Sequence, residues 1–224
     1  MIIVIDGPAG SGKSTTAKAV AKKLNIEYLD SGALYRAMTW VFLQTNQDKD
    51  AFLNALDRTS VSFFYDYDNE IFHVFVNGND ITGELRSELV SDMVSRVASF
   101  PQVRSFVNAL MQKSVINGKY IAEGRDLGTA VFPDADLKFF MKADQKERAR
   151  RRFKELKSAG NDVSFNDVRR NITKRDQKDM NRERDPLKKA ADAIEINTTD
   201  MTFETQVRYI CDIICEKTVL TCAP

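Results

Sequence analysis

Near its start the chain reads Gly7-Pro8-Ala9-Gly10-Ser11-Gly12-Lys13-Ser14, with Thr15 directly behind. This is the spacing G-x-x-x-x-G-K-[ST], which is built to hold a triphosphate. Glycines let successive backbone N–H groups turn inward around a phosphate. A helix opening at the loop adds positive potential. Lys13 would reach the β- and γ-phosphates, and the Ser14 hydroxyl would ligate magnesium. The flanks agree: residues 2–5 are an apolar, strand-like run. Lys13–Leu24 carries Ala17, Val20, Ala21 and Leu24 on one helical stripe. A fortuitous glycine turn would not need both flanks. The motif specifies a nucleoside triphosphate without choosing between switch, motor and kinase.

The rest of the chain bears on that choice. A guanine-reading N-K-x-D does not occur, and Asp80-Ile81-Thr82-Gly83 falls where a hairpin closes, so its match to D-x-x-G is read as chance. No apolar strand ending in an adjacent acidic pair, as motor ATPases carry, is present. A kinase for a small acceptor needs a second anionic pocket and a cover that keeps water from taking the phosphoryl group. The second half is rich in arginine: Arg148, Arg150, Arg151, Arg152, Arg169, Arg170, Arg175, Arg182 and Arg184. Arginine forks match phosphate oxygens in a bidentate way.

The elements that must position these groups alternate. Short apolar runs at 2–5, 26–29, 120–122, 137–141 and 193–196 are separated mostly by helical patterns, which predicts a parallel α/β sheet. Residues 61–82 break the rhythm. Val61, Phe63, Tyr65, then Ile71, His73, Phe75 and Asn77-Gly78 predict antiparallel hairpins, with the aromatic side chains read as sheet core. Residues 146–184 predict two charged helices joined at the polar tip Ser158-Ala159-Gly160-Asn161-Asp162, suited to a mobile cover. The expected fold class is therefore α/β: a P-loop NTPase-type parallel five-stranded sheet flanked by helices, with an inserted antiparallel β nucleotide-binding subdomain and a helical lid. The partition reads 1–36, 104–147 and 185–224 as core, 37–103 as the insert that binds the acceptor, and 148–184 as lid.

Composition sets bounds on function. Lys plus Arg is 33 against 32 for Asp plus Glu. That balance disfavours a nucleic-acid module built on the arginine-rich segment, which needs a sustained positive field. No apolar run approaches the roughly 18 residues that span a bilayer, and the N-terminus lacks the pattern of a signal peptide, so a cytosolic protein is expected. Cys211, Cys215 and Cys222 lie at the far end, remote from the single histidine, His73. They are read as reduced structural thiols rather than a metal site. Asp6 could face a magnesium shell or cap its strand, and Asp30 would orient Lys13 or water. Trp40 is read as a packing residue and His73 as a packed or surface histidine.

Four further stretches give the chain a resemblance. They are Asp30-Ser31-Gly32-Ala33-Leu34-Tyr35-Arg36, residues 95–104, Glu123-Gly124-Arg125-Asp126-Leu127-Gly128-Thr129, and Lys174-Arg175-Asp176-Gln177-Lys178-Asp179-Met180-Asn181-Arg182. With the phosphate loop and in this order, they closely resemble bacterial-type cytidylate kinases from Ile5 to about Asp200. The resemblance implies a monomer that uses ATP, magnesium and CMP or dCMP. It implies that Ser31, Ser95, Arg104 and Asp126 read the cytosine, and that Arg36, Arg125 and Arg182 hold the acceptor phosphate. Tyr35, Arg175 and Asp179 would sit at the ribose and the path of transfer, and the arginines at 148–152, Arg151 among them, in the lid over ATP. Met180 is apolar where that family often carries a basic residue. The chemistry of the base fits this set. A carboxylate such as Asp126 accepts from the cytosine amine while Arg104 donates to N3 and O2, whereas uracil inverts both edges. A related kinase for UMP or another small nucleotide is the alternative.

Overall fold

The computed structural model describes residues 1–221. In chain order the elements are β1 (Ile2–Asp6), α1 (Lys13–Leu24), β2 (Glu27–Asp30), α2 (Ser31–Gln44), α3 (Lys49–Leu56), β3 (Val61–Asp66), β4 (Ile71–Val76) and β5 (Asn79–Asp80). Then come α4 (Glu88–Val97), α5 (Pro101–Ser114), β6 (Tyr120–Gly124), β7 (Leu137–Lys142), α6 (Gln145–Ser158), α7 (Phe165–Met180), β8 (Ile194–Asn197) and α8 (Phe203–Lys217). A 3-10 turn, Thr82–Arg86, and a single π-type turn, Leu127–Val131, complete them.

Five strands form one parallel sheet in the order β2-β6-β1-β7-β8. β1 is central, so Ile3, Val4 and Ile5 are fully buried on both faces; this is why the strand reads as an unbroken apolar run rather than an alternation. In such a sheet, ligands bind beyond the carboxyl ends of the strands, where neighbouring connections diverge. Asp6, Asp30 and Glu123 all lie at that edge. Asp30 also opens α2, accepting from the Ala33 N–H at 3.0 Å.

The second sheet, β3-β4-β5, is antiparallel. Its register pairs Tyr65 with Phe72 and Phe64 with His73. Because side chains alternate, Tyr65 and Phe72 enter the core while Phe64, at 53% exposed, stacks on His73 and Phe75 on the other face. The expectation that all these aromatics form core therefore holds for one face only. α6 and α7 pack on each other through Ala149, Val168 and Ile172, a small core of their own.

α8 packs on α1 and buries Val207, Ile210, Cys211 and Ile214 in the main core. Cys211 is buried, and Cys215 is disulfide-bonded. That corrects the reading of Cys215 as a reduced thiol: it lies half-buried in the last helical turn, where its sulfur can reach a partner. Cys222 lies outside the described residues. Among the described residues no helix is long and apolar enough to cross a membrane.

Candidate active site

The phosphate loop runs from β1 into α1. A Cβ on Gly7 would stand 2.1 Å from the Met141 carbonyl oxygen, so only glycine fits. Gly10 and Gly12 take φ of 74° and 91°, which glycine adopts without strain. Donors outside the loop hold its carbonyls. Arg148 Nη1 donates to Ala9 O at 3.0 Å, Arg151 Nη1 to Ser11 O at 3.3 Å, and Thr198 Oγ1 to Ser11 O at 3.0 Å. Carbonyls drawn outward favour N–H groups turned inward. Thr15 Oγ1 closes the first turn on Gly12 O at 2.9 Å.

Beside the loop, Lys13 and Ser14 share one carboxylate. Ser14 Oγ donates to Glu123 Oε1 at 2.7 Å, and Lys13 Nζ lies 3.6 Å from Glu123 Oε2. Burial works against the Glu123 charge, but Lys13, the Ser14 hydroxyl and Arg125 outweigh it and hold the group below the usual carboxylate range. Asp30, the register partner of Glu123, is pushed up by burial and then by that neighbouring charge. Burial, and next the charge of Arg125, lower Lys13 to about 8 despite Glu123.

That lowering has a measurable consequence. Free protein begins to lose the Lys13 proton near pH 8, and a bound triphosphate restores it by adding negative charge. At pH 8.5, binding an ATP analogue should take up roughly three-quarters of a proton per site; at pH 7 the uptake should be about 0.1. Calorimetry in two buffers of different ionisation heat reads this directly. A binding enthalpy independent of buffer at pH 8.5 would contradict it.

Further cations crowd toward Lys13. Arg125 is paired with Asp179 at 3.1 Å and donates to Gly124 O at 3.2 Å. Arg175 is pushed down to about 10 by burial, then by Arg125, with Arg36 and Arg152 adding to it. Its Nε is buried without a hydrogen-bond partner among the described residues. Arg36 donates to Leu85 O and Ser91 Oγ and is lowered by burial first; Arg152 and Arg125 contribute. Lys13 thus stands in the field of Arg125 and Arg175, and Arg175 in that of Arg125, Arg36 and Arg152. Clustered like charges with a buried, unpartnered donor are costly unless an anion comes between them.

The far end of the cluster is neutralised internally. Arg104 is fully buried; Asp126 Oδ2 pairs with its Nη2, and Asp185 Oδ2 accepts from its Nε at 2.7 Å. Arg182 Nη2 lies 3.4 Å from the other Asp126 oxygen. Burial raises Asp126, and Asp185 and Asp179 add to the rise, while Arg104 and Arg182 oppose it. The Tyr35 ring lies 5.4 Å from the Arg104 guanidinium. Ser31 Oγ donates to Glu123 O at 2.7 Å, tying this end to the β6 edge.

A family model described as cytidylate kinase matches residues 3–217. The chain belongs to the cytidylate kinase family. It is a nucleoside monophosphate kinase, a phosphotransferase. A cytidylate kinase of Carboxydothermus hydrogenoformans is 41% identical over 97% of this chain and 98% of its own length. One from Geobacillus sp. (strain WCH70) is 43% identical over 96% of each. Among solved structures, an uncharacterized protein from Eubacterium ventriosum aligns over 96% of this chain and 98% of its own with a TM-score of 0.52. At 16% identity it shares the fold alone.

Within this family member the sequence-derived residues divide by location. Lys13, Arg36, Arg125 and Arg175 converge, as do Tyr35, Arg104, Asp126 and Arg182. Ser95 sits half-buried on α4, which packs on α2 and α7. Arg148 does not cover the site: it is buried behind the loop, paired with Asp176 at 2.5 Å and donating to Ala143 O. Asp6 accepts the N–H groups of Leu127 and Gly128 at 3.0 and 2.8 Å and so anchors the turn after β6. Two residues escaped the sequence reading. Glu123 stood in a quoted motif without a role, although an acidic residue ending a strand beside the loop strand was the available signal. Asp185 carried no signal, since its partner lies 81 residues away.

Proposed function

We propose that this chain transfers the γ-phosphoryl group of ATP to the phosphate of CMP and dCMP by direct in-line displacement. One observation carries the reading: a crowd of cations runs from Lys13 to Arg175 and abuts a buried Arg104–Asp126 pair of the polarity that a cytosine edge requires. The loop from Gly7 to Thr15 binds ATP, with Arg151 bracing it from outside. Arg36, Arg125 and Arg182 hold the acceptor phosphate, and Arg175, Asp179 and Tyr35 border the ribose and the path between the nucleotides. Ser31, Ser95, Arg104 and Asp126 read the base. Positioning and charge neutralisation suffice, because the attacking oxygen belongs to an already ionised phosphate and needs no general base.

Ser14, with Glu123 and Asp30 behind it, is the donor set that would hold magnesium, which would supply charge neutralisation for the ATP phosphates. Residues 37–103 form the acceptor-binding insert and 148–184 the lid, on a core of 1–36, 104–147 and 185–224. The protein acts as a cytosolic monomer, without nucleic-acid or membrane partners.

An acceptor panel tests the assignment. Coupled ADP release with CMP, dCMP, UMP and AMP should give kcat/KM for CMP at least about 100-fold above UMP and AMP. Faster turnover of UMP or AMP than of CMP would overturn the base assignment.

A further inference from the structure

We infer that Asp185 is a positioning residue for acceptor selectivity, acting by clamping the Nε edge of Arg104. The inference rests on the reading that Arg104 and Asp126 meet the base. Arg104 has five N–H donors in one rigid plane. Asp185 takes Nε–H at 2.7 Å, Asp126 takes one from Nη2, and Ala98 O lies 3.5 Å from Nη1. Two donors, one on each terminal nitrogen, have no partner among the described residues. With no exposed surface and three fixed partners, the guanidinium has one orientation.

The backbone holds Asp185 equally firmly. It takes φ of 51°, a left-handed conformation that aspartate tolerates, directly before Pro186. The next residue, Leu187, is buried and donates its N–H to Asp179 O at 2.8 Å. The turn leaving α7 is thus pinned immediately after Asp185.

The charges explain why one carboxylate would not serve. Arg104, Asp126, Arg182 and Asp185 sum to zero, and the half-exposed Arg184 adds only a longer contact of 3.9 Å from its Nε to Asp185 Oδ2. Without Asp185, Asp126 is the sole counterion to two arginines. Arg104 is then free to swing onto Asp126 and engage both its oxygens, which withdraws the acceptor that the cytosine amine needs. The loss therefore falls on binding and selectivity for CMP, not on the transfer step at Lys13.

Asp185→Ala should raise the KM for CMP about tenfold and leave kcat and the KM for ATP within about twofold. The kcat/KM ratio of CMP to UMP should fall about tenfold. Asp185→Asn keeps an oxygen acceptor for Nε–H and should recover most of that ratio. Equal losses on CMP and UMP, an unchanged ratio in Asp185→Ala, or an Asn variant no better than alanine would each overturn the clamp. A measurement on unaltered protein does not depend on the variants folding. The Arg104 Nε–H proton should exchange with solvent at least about 100-fold more slowly than those of exposed arginines by NMR, and exchange at the exposed rate would overturn the inference. The acceptor panel separates the two readings. If the unaltered enzyme prefers another nucleotide, the base assignment itself falls. If it prefers CMP while Asp185→Ala behaves as wild type, only the clamp falls.

Discussion

Lys13→Ala should leave a folded protein whose kcat with ATP and CMP is about 10³-fold lower. Removing a single neutral donor from a preorganised anion site already costs about 10²–10³, and Lys13 supplies a full charge where the loop must stabilise the transferring group. The fold should tolerate the change, because the group is held against its preference. Burial and Arg125 lower its proton affinity, so holding the ammonium there is less favourable than in water, although it stays charged at neutral pH. Glu123 would keep the Ser14 hydroxyl and Arg125 as partners. ADP release read with a thermal melt separates the effects. A loss under tenfold in a protein that melts like wild type would remove Lys13 from the transfer step.

Much of the scaffold was legible because buried elements have plain signatures. The helix after the glycine loop was read as Lys13–Leu24 and is found there, since one apolar stripe and a glycine start mark both ends. The inner strand β1 showed as an unbroken apolar run because a strand covered on both faces has no polar alternation to blur it, whereas the edge strand β8 alternates, with Glu195 and Asn197 exposed. The site was legible where one local stretch carries it. It was not where function depends on pairing across the chain. Arg148 and Arg151 stand one helical turn apart and point toward the loop carbonyls, while Arg150 pairs with Glu147 at the surface. A run of arginines cannot reveal that division until the helix has a neighbour. Asp6 likewise looked like a strand end until Leu127 and Gly128, more than 120 residues away, brought their N–H groups to it. Periodicity reports the environment of a residue's own element and carries no record of which distant backbone will meet it.

Asp126→Ala and Asp126→Asn together should show that the buried carboxylate chooses the base. In the alanine variant, kcat/KM for CMP should fall about 10³-fold and that for UMP less than about tenfold, since a site built to pair with one polar edge gains its discrimination from groups left unpaired by the wrong one. Stability should fall as well. Breaking a buried ion pair costs roughly 3–5 kcal/mol when the remaining charge is stranded, but Asp185 stays on Arg104 Nε, so the drop should lie at or below the lower end of that range. The asparagine variant isolates chemistry from packing. Its amide oxygen can keep Arg104 Nη2, which turns the NH2 toward the ligand and places a donor where cytosine also presents one. Uracil presents O4 there and accepts it, so Asp126→Asn should narrow or invert the preference for CMP over UMP. An equal loss on both nucleotides, in protein that remains folded by its melting curve, would take Asp126 out of base selection.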